Sequence, residues 1–331
     1  MGADRPVALA ELRAPLATVT GSRLLFLRDF QRLQGGHLKV WHYHQHALAA
    51  GWDARISFTE RSVWDDTNPW VALPETILAP GEPFDPDVMF VAGHDWERIP
   101  PIREGTPVIN LIQHVRHADP SDRRYAHLAK RAVRICVSPE VADAINLTGR
   151  VRGPVLVIPN GFDNGESVDA VPFDERSVDI LLVALRQADL GARVASRLDR
   201  AGRTVRLLTD HLPRKLFLGE LADARVVVVL PDRREGFCLP ALEALALGAV
   251  VVVPDVVGNR SFCFDKVNCL MPEFEEEAVV HEAEAALALP RQCSDALRAN
   301  AAQTARAHSL EAERESFLSV LAGLDELWAT A

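Results

Sequence analysis

Two glutamates, Glu235 and Glu243, stand eight positions apart in the stretch LPDRREGFCLPALEALALGAVVVVPD, residues 230–255. This stretch predicts a buried strand, a loop that carries Glu235, and a helix opened by Pro240 and closed by Gly248. No Ser, Thr, Asp or Asn stands just before the proline to cap the helix, so its first N–H groups should stay open to an outside acceptor. Phosphate or sugar oxygens bind at such helix starts beside parallel strands. A glutamate there can also act only as a favourable charge for the helix dipole.

The elements that must position this site are short apolar runs rich in β-branched residues, separated by stretches long enough for a helix. The runs are residues 23–27, 87–92, 107–112, 134–138, 155–159, 179–184, 204–208, 224–230 and 249–254. Continuous rather than alternating apolar strands are typical of a parallel sheet that is covered on both faces. The predicted fold class is therefore α/β.

Between Ile158 and Asp179 the pattern breaks into a stretch dominated by Gly, Pro, Asn and Asp, which predicts a domain linker. We expect two Rossmann-like lobes whose parallel sheets face a cleft, residues 1–163 and residues 164–308. Residues 309–331 have apolar positions at spacings of three, four and seven, which predicts a last helix. This helix could pack on either lobe and so cross back to the first one.

Composition excludes several classes of protein. Lys plus Arg total 36 against 46 Asp plus Glu, a net charge of −10 that gives no field to attract nucleic acid. The five Cys have no spacing typical of zinc or a disulfide framework, so we expect reduced thiols and a cytoplasmic protein. The first thirty residues lack the apolar stretch of a secretion signal, and no segment approaches the ~20 apolar residues of a membrane span. Peripheral membrane contact and oligomeric state stay open.

Other common nucleotide and metal motifs are missing or incomplete. The sequence has no Gly-Lys-Ser or Gly-Lys-Thr phosphate loop and no Gly-x-Gly-x-x-Gly after a strand, which argues against kinases and NAD dehydrogenases. His37, His42, His44 and His46 crowd the first predicted helix. Positions 42 and 46 share a face at a spacing that can bind zinc, but a third ligand is not visible. We interpret these histidines as a polar face that lines the cleft, and we expect neither a metal nor a cofactor.

The stretch EGFCLPALEALALGAVVVVPD resembles the signature of retaining, GT-B-fold glycosyltransferases, the group that includes sucrose synthase and the family-four mannosyltransferases. The resemblance implies that Glu235 contacts the donor sugar and that Glu243 binds the nucleotide ribose. It also implies backbone contacts from the loop between them, Gly236, Phe237, Cys238 and Leu239. Cys238 replaces the small glycine that the family usually has.

Three other segments extend the resemblance over most of the chain. The pair Gly35 and Gly36 precedes a long predicted helix and is similar to the family's glycine pair, which implies an approach to the donor diphosphate. His114, after the strand PVINLI, matches a histidine that the family places near the reacting carbon. The motif PNGFD, residues 159–163, resembles the motif that the family has at the junction between its two lobes.

The start of the second lobe departs from the family pattern. Arg186 fits the arginine that neutralises the diphosphate, but the expected lysine position holds Leu190 or Gly191. Arg193 or Arg197 could substitute for it, or could be solvated helix charges. The resemblance implies a metal-independent glycosyltransferase that moves a sugar from a nucleotide diphosphate sugar to an unidentified acceptor hydroxyl. A nucleotide-sugar epimerase of the same fold and a degenerate nucleotide-sugar-binding partner subunit remain alternatives.

Overall fold

The computed structural model describes residues 21–162, 168, 171–199 and 202–331. The chain forms two compact units: the first holds the residues up to Asn160 together with Glu311–Ala331, and the second is Gly161–Leu310. Residues 1–20, where no signal is expected, and Asp163, the predicted lobe boundary, lie outside the described residues. Much of the predicted linker lies outside them as well.

Six parallel strands form the sheet of the first unit. They are β1 (Arg23–Arg28), β2 (Asp53–Phe58), β3 (Val88–Ala92), β4 (Val108–Ile112), β5 (Val133–Cys136) and β6 (Val155–Val157), in the order β2-β1-β3-β4-β5-β6. Every residue of β3 and β4 is buried, as the continuous apolar runs require, whereas burial alternates along the edge strand β2. Helices α1 (Gly35–Ala49) and α2 (Pro139–Asn146) and several short 3₁₀ helices complete the connections.

Four parallel strands form the sheet of the second unit. They are β7 (Val178–Val183), β8 (Val205–Leu208), β9 (Ala224–Val229) and β10 (Val250–Val252), in the order β10-β9-β7-β8. The helices of this unit are α3 (Ala188–Asp199), α4 (Arg214–Asp223), α5 (Leu239–Ala246), α6 (Glu276–Leu287) and α7 (Arg291–Ala307). The core lies between the sheet and its helices, with Ile180, Val228 and Val252 of three strands packed with Val194 and Val279 of two helices. The predicted α/β class with two parallel sheets is confirmed.

The predicted last helix is two helices, α8 (Leu310–Ala322) and α9 (Leu324–Ala329), which meet at Gly323. Phe317 of α8 is fully buried and makes edge contacts with Tyr43 and Phe90 of the first unit, with ring centroids 4.8 and 6.0 Å apart. The end of the chain therefore completes the core of the unit that the beginning of the chain forms.

The second unit holds its two ends side by side. Phe162 donates its backbone N–H to His308 at 2.9 Å and accepts the N–H of Leu310 at 3.1 Å. A side chain on Gly161 would lie 2.6 Å from the Ser309 carbonyl oxygen, so only glycine allows this approach. Among the described residues, no helix is both long and apolar enough to cross a membrane.

Candidate functional site

Glu235 lies in the loop between β9 and α5, at the carboxyl edge of the second sheet. Its backbone N–H donates to the Asp232 carbonyl at 3.0 Å, and the Asp232 carboxylate accepts the N–H of Arg234 at 2.8 Å, which closes a tight turn. Arg186 follows β7, the strand paired with β9. Because the carboxyl ends of parallel neighbours share one sheet edge, the fold brings Glu235 and Arg186 into electrostatic contact.

The Glu235 carboxyl group is partly buried, and its surroundings change its protonation. Burial raises its pKa from 4.5 to about 7, against the opposing effect of the Arg186 guanidinium; the Asp232 charge adds to the rise. Among the described residues, none donates a hydrogen bond to this carboxyl group. Glu235 is therefore a mixture of acid and carboxylate near neutral pH, open to a hydroxyl group from outside the chain.

The loop after Glu235 is held by its own backbone more tightly than the sequence suggests. Cys238 donates its N–H to the Gly258 carbonyl at 2.7 Å, and Leu239 donates its N–H to the Phe237 carbonyl at 3.1 Å. The expectation that these two N–H groups are open is therefore wrong.

Gly258 is a site residue that sequence reasoning missed. A side chain there would lie 2.7 Å from the carbonyl oxygen of Glu235 and 2.9 Å from the nitrogen of Phe237. The Phe237 ring stacks on Phe262, with centroids 4.8 Å apart, and Cys238 is fully buried. The loop therefore rests on the backbone at Gly258 and on the aromatic core of the second unit.

Glu243 lies in α5 and is almost fully buried. Its Oε1 is 2.6 Å from Nη1 of Arg214, the first residue of α4. Sequence reasoning missed this arginine because it lies 29 positions away and no spacing rule connects residues so far apart. The guanidinium neutralises a carboxylate that would be costly to bury alone, and it fixes one of the two carboxylate oxygens.

The missing lysine has a structural explanation. Gly191 of α3 packs so closely on Ala184, just after β7, that a side chain at 191 would overlap the alanine methyl group. Arg193 is 2.8 Å from Glu276 and Arg197 is 2.6 Å from Glu277, so both tie α3 to α6. These ion pairs favour the reading of both arginines as helix charges rather than as substitutes for the lysine.

The first unit brings together the glycine pair and the end of β4. Gly35 begins α1, and the carbonyl of Gly36 accepts a hydrogen bond of 3.2 Å from the side chain of Gln113. The next residue, His114, is partly buried and accepts the backbone N–H of Arg116 on Nδ1 at 3.0 Å. Two predicted site segments that are far apart in sequence therefore meet at this sheet edge.

The four histidines of α1 are predicted to form a polar face that lines the cleft. This prediction is wrong for three of them, which are buried. His42 contacts Lys39 Nζ at 2.9 Å, His44 bonds to the Ala54 carbonyl at 3.2 Å, and His46 bonds to Glu313 at 3.1 Å. All three are buried because α1 packs inside the first unit, covered by α8. His42, through Lys39, and His46 therefore belong to one buried network around Glu313.

Two parallel sheets of this topology define the GT-B fold. Sucrose-phosphate synthase from Thermosynechococcus elongatus matches with a TM-score of 0.65 and 15% identity, over 94% of this chain and 100% of that one. Anabaena HepE, solved with UDP and glucose, matches with a TM-score of 0.67 and 13% identity, over 92% and 100%. A UDP-forming trehalose-phosphate synthase from Burkholderia vietnamiensis gives 0.61 and 14%, over 94% and 99%. At such low sequence identities, these structural similarities establish the fold alone.

The family match lies in the second unit. Residues 214–308 match the family model described as "Glycosyl transferases group 1". This segment contains both Glu235 and Glu243, whereas Arg186 and His114 lie outside it. The resemblance to GT-B-fold glycosyltransferases is thus confirmed: the chain has their fold, and its residues 214–308 match the group 1 family model. No curated protein matches the sequence.

Proposed function

We propose that the chain is a retaining glycosyltransferase that moves a sugar from a nucleoside diphosphate sugar to an acceptor hydroxyl group without a metal ion. The second unit binds the donor and the first unit binds the acceptor. The family match and the UDP complexes of a structural neighbour support this class of donor. The epimerase alternative shares the donor but needs no acceptor.

One observation carries the proposal: the Glu235 carboxyl group lies within electrostatic range of the Arg186 guanidinium at the carboxyl edge of the second sheet. Glu235 has the raised pKa that is typical of functional carboxyl groups, and Arg186 supplies positive charge beside it. The backbone of Gly236 and Phe237 follows Glu235 directly in the same loop. The combination suits a ligand that has sugar hydroxyls at one end and phosphate oxygens at the other.

The reaction breaks the bond between the anomeric carbon and the phosphate oxygen, and the acceptor oxygen bonds to the same face of that carbon. The departing phosphate oxygen takes the acceptor proton, so no covalent enzyme intermediate forms. Arg186 stabilises the negative charge of the leaving diphosphate. Glu235 orients the sugar through its hydroxyls.

Glu243 is assigned to the ribose of the donor. Arg214 holds its Oε1, which leaves Oε2 as the acceptor for a ribose hydroxyl. Arg214 is thus a positioning residue, which fixes the rotamer of a carboxylate that the ligand contacts.

The proposal is tested by a thermal-shift screen of UDP-, GDP- and ADP-sugars, followed by transfer assays with the donor that raises the melting temperature. Glu235→Ala should lower transfer by more than about 100-fold while the protein stays folded. The control is Glu273→Gln, an exposed glutamate of the same unit, which should keep full activity. Undiminished transfer by Glu235→Ala would overturn the assignment, and an isomerised sugar after incubation with donor alone would favour the epimerase.

A second candidate is a nucleotide-sugar-binding subunit without turnover. The observation that favours it is the glycine at 191, whose packing on Ala184 leaves no room for a lysine there. A diphosphate with less positive charge around it is a poorer leaving group. Saturable donor binding without transfer or hydrolysis, across a broad panel of acceptors, would establish this candidate.

A further inference from the structure

Three potential metal ligands meet in the first unit, outside the residues assigned to sugar transfer. His94 and Glu97 lie in the 3₁₀ helix 93–98 after β3, and His127 lies in the 3₁₀ helix 123–129 before β5. One ligand atom from each side chain lies within 4.8 Å of the other two. His94 Nδ1 is 3.5 Å and His127 Nε2 is 3.9 Å from the same oxygen, Oε1 of Glu97.

Among the described residues, the ligand atoms that face the centre of this cluster receive no hydrogen bond from a donor. His127 is about nine-tenths buried, and neither of its ring nitrogens has a hydrogen-bond partner among the described residues. A buried polar group without a partner is costly, so this imidazole requires an explanation. The other oxygen of the carboxylate, Glu97 Oε2, accepts a hydrogen bond of 2.9 Å from Arg123. Arg123 thereby fixes the carboxylate with Oε1 turned toward the two imidazoles.

We propose that His94, Glu97 and His127 bind a divalent zinc ion. Two imidazole nitrogens and one carboxylate oxygen are ligands that Zn²⁺ prefers, and three protein ligands leave a fourth position for water. With bonds near 2.0 to 2.1 Å, tetrahedral ligand atoms lie about 3.4 Å apart. The separations of 3.5 and 3.9 Å are close to this value. The half-exposed His94 side chain can supply the remaining movement toward His127.

Neighbouring charges set the strength of the site. Lys130 lies close enough to His127 to interact with it electrostatically. Lys130 and Arg123 are also positive charges close to the ion, and they weaken its binding. We therefore expect a reversible site of micromolar affinity rather than a permanently loaded structural zinc.

The experiment uses the full chain, treated with EDTA and dialysed, and titrated with ZnCl₂ by calorimetry. One equivalent should bind, and the melting temperature should rise with zinc concentration. Cobalt(II) in place of zinc should give visible absorption bands characteristic of nitrogen and oxygen ligands. Binding should become weaker as the pH falls, since protons compete for the imidazoles.

Two variants of exposed ligands avoid disturbing the core. Glu97→Gln keeps the side-chain shape and the contact with Arg123, and His94→Ala removes a half-exposed ring; each should weaken zinc binding by at least about tenfold. The control is His281→Ala, an exposed histidine of α6 in the other unit, which should bind as the unchanged protein does. Failure of the unchanged protein to bind zinc, or equal affinity in all three variants, would overturn the site.

Discussion

At the residue scale, Glu235 couples the stability of the second unit to pH. Its pKa is higher in the folded protein, about 7, than the ordinary value of 4.5, so the folded state favours the protonated form. At low pH the Glu235 carboxyl group is protonated in the folded and the unfolded states, so it does not change the free energy of unfolding. As the pH rises from about 4.5 to 7, ionisation of this group destabilises the folded state increasingly. The full cost is about 3 kcal/mol above pH 7.

Glu235→Gln removes this cost because the amide does not ionise. The free energy of unfolding of the variant, relative to the unchanged protein, should therefore rise between pH 5 and pH 8 by up to about 3 kcal/mol. Urea unfolding at both pH values measures the difference. A constant difference would contradict the raised pKa, and Glu273→Gln is the exposed control.

Gly258→Ala should disturb the loop that presents Glu235. The added methyl group meets backbone atoms of Glu235 and Phe237, which cannot move as a flexible side chain can. We expect a loss of about 1 to 3 kcal/mol in unfolding free energy and weaker donor binding. The control is Gly219→Ala in α4, where nothing lies within 4 Å and alanine should be neutral or stabilising. Equal stability of the two variants would contradict this account.

Sequence reasoning finds the residues that a local pattern identifies and misses those that only the fold brings together. Glu235 and Glu243 are in one short motif, and Arg186 follows a recognisable strand. Arg214, Gly258 and the cluster at His127 have no local signal. They matter because of partners that lie about 20 to 30 positions away in the chain.

At the element scale, the nine apolar runs all correspond to strands. Central strands such as β3 and β4 are continuously apolar because both of their faces are buried. The tenth strand, β2, lies at the edge of its sheet and alternates in burial, so it has no such run. Only its position after the helix that follows the glycine pair indicated it. The division of the last helix at Gly323 was also not predicted, since the apolar spacing continues across it.

The packing of α3 on the second sheet depends on the close approach of Gly191 to Ala184. Gly191→Ala should lower the unfolding free energy by about 1 to 3 kcal/mol because two methyl groups would overlap. The double variant with Ala184→Gly should recover part of this loss, since it removes the second methyl group. Denaturant unfolding of both single variants and the double variant measures the coupling, and strictly additive effects would contradict the overlap.

At the scale of the whole molecule, residues Glu311–Ala331 belong to the unit that the first half of the chain builds. Glu313 of α8 forms a fully buried ion pair with Lys39 and also bonds to His46. The linker composition indicated two domains, and the apolar spacing indicated a packed last helix. Neither could reveal this polar network, because buried charges follow no periodic pattern.

Glu313→Ala should destabilise the first unit by about 3 to 5 kcal/mol, since it leaves Lys39 buried without its carboxylate. The control is Glu315→Ala, an exposed glutamate on the same helix, which should change stability by less than about 0.5 kcal/mol. Urea unfolding measures both variants. Similar stability of the two would show that the buried ion pair contributes little.

The buried network of Lys39, His46 and Glu313 can form only late in the synthesis of the chain. His46 and Glu313 are 267 positions apart, so at roughly 5 to 20 residues per second a ribosome needs about 13 to 53 s between them. Throughout that interval the nascent first unit lacks the carboxylate that its lysine requires, whereas the second unit ends at Leu310 and is complete before Glu313 is added. Chains stalled before Glu313 should resist protease in residues 171–310 and be cut in the earlier part.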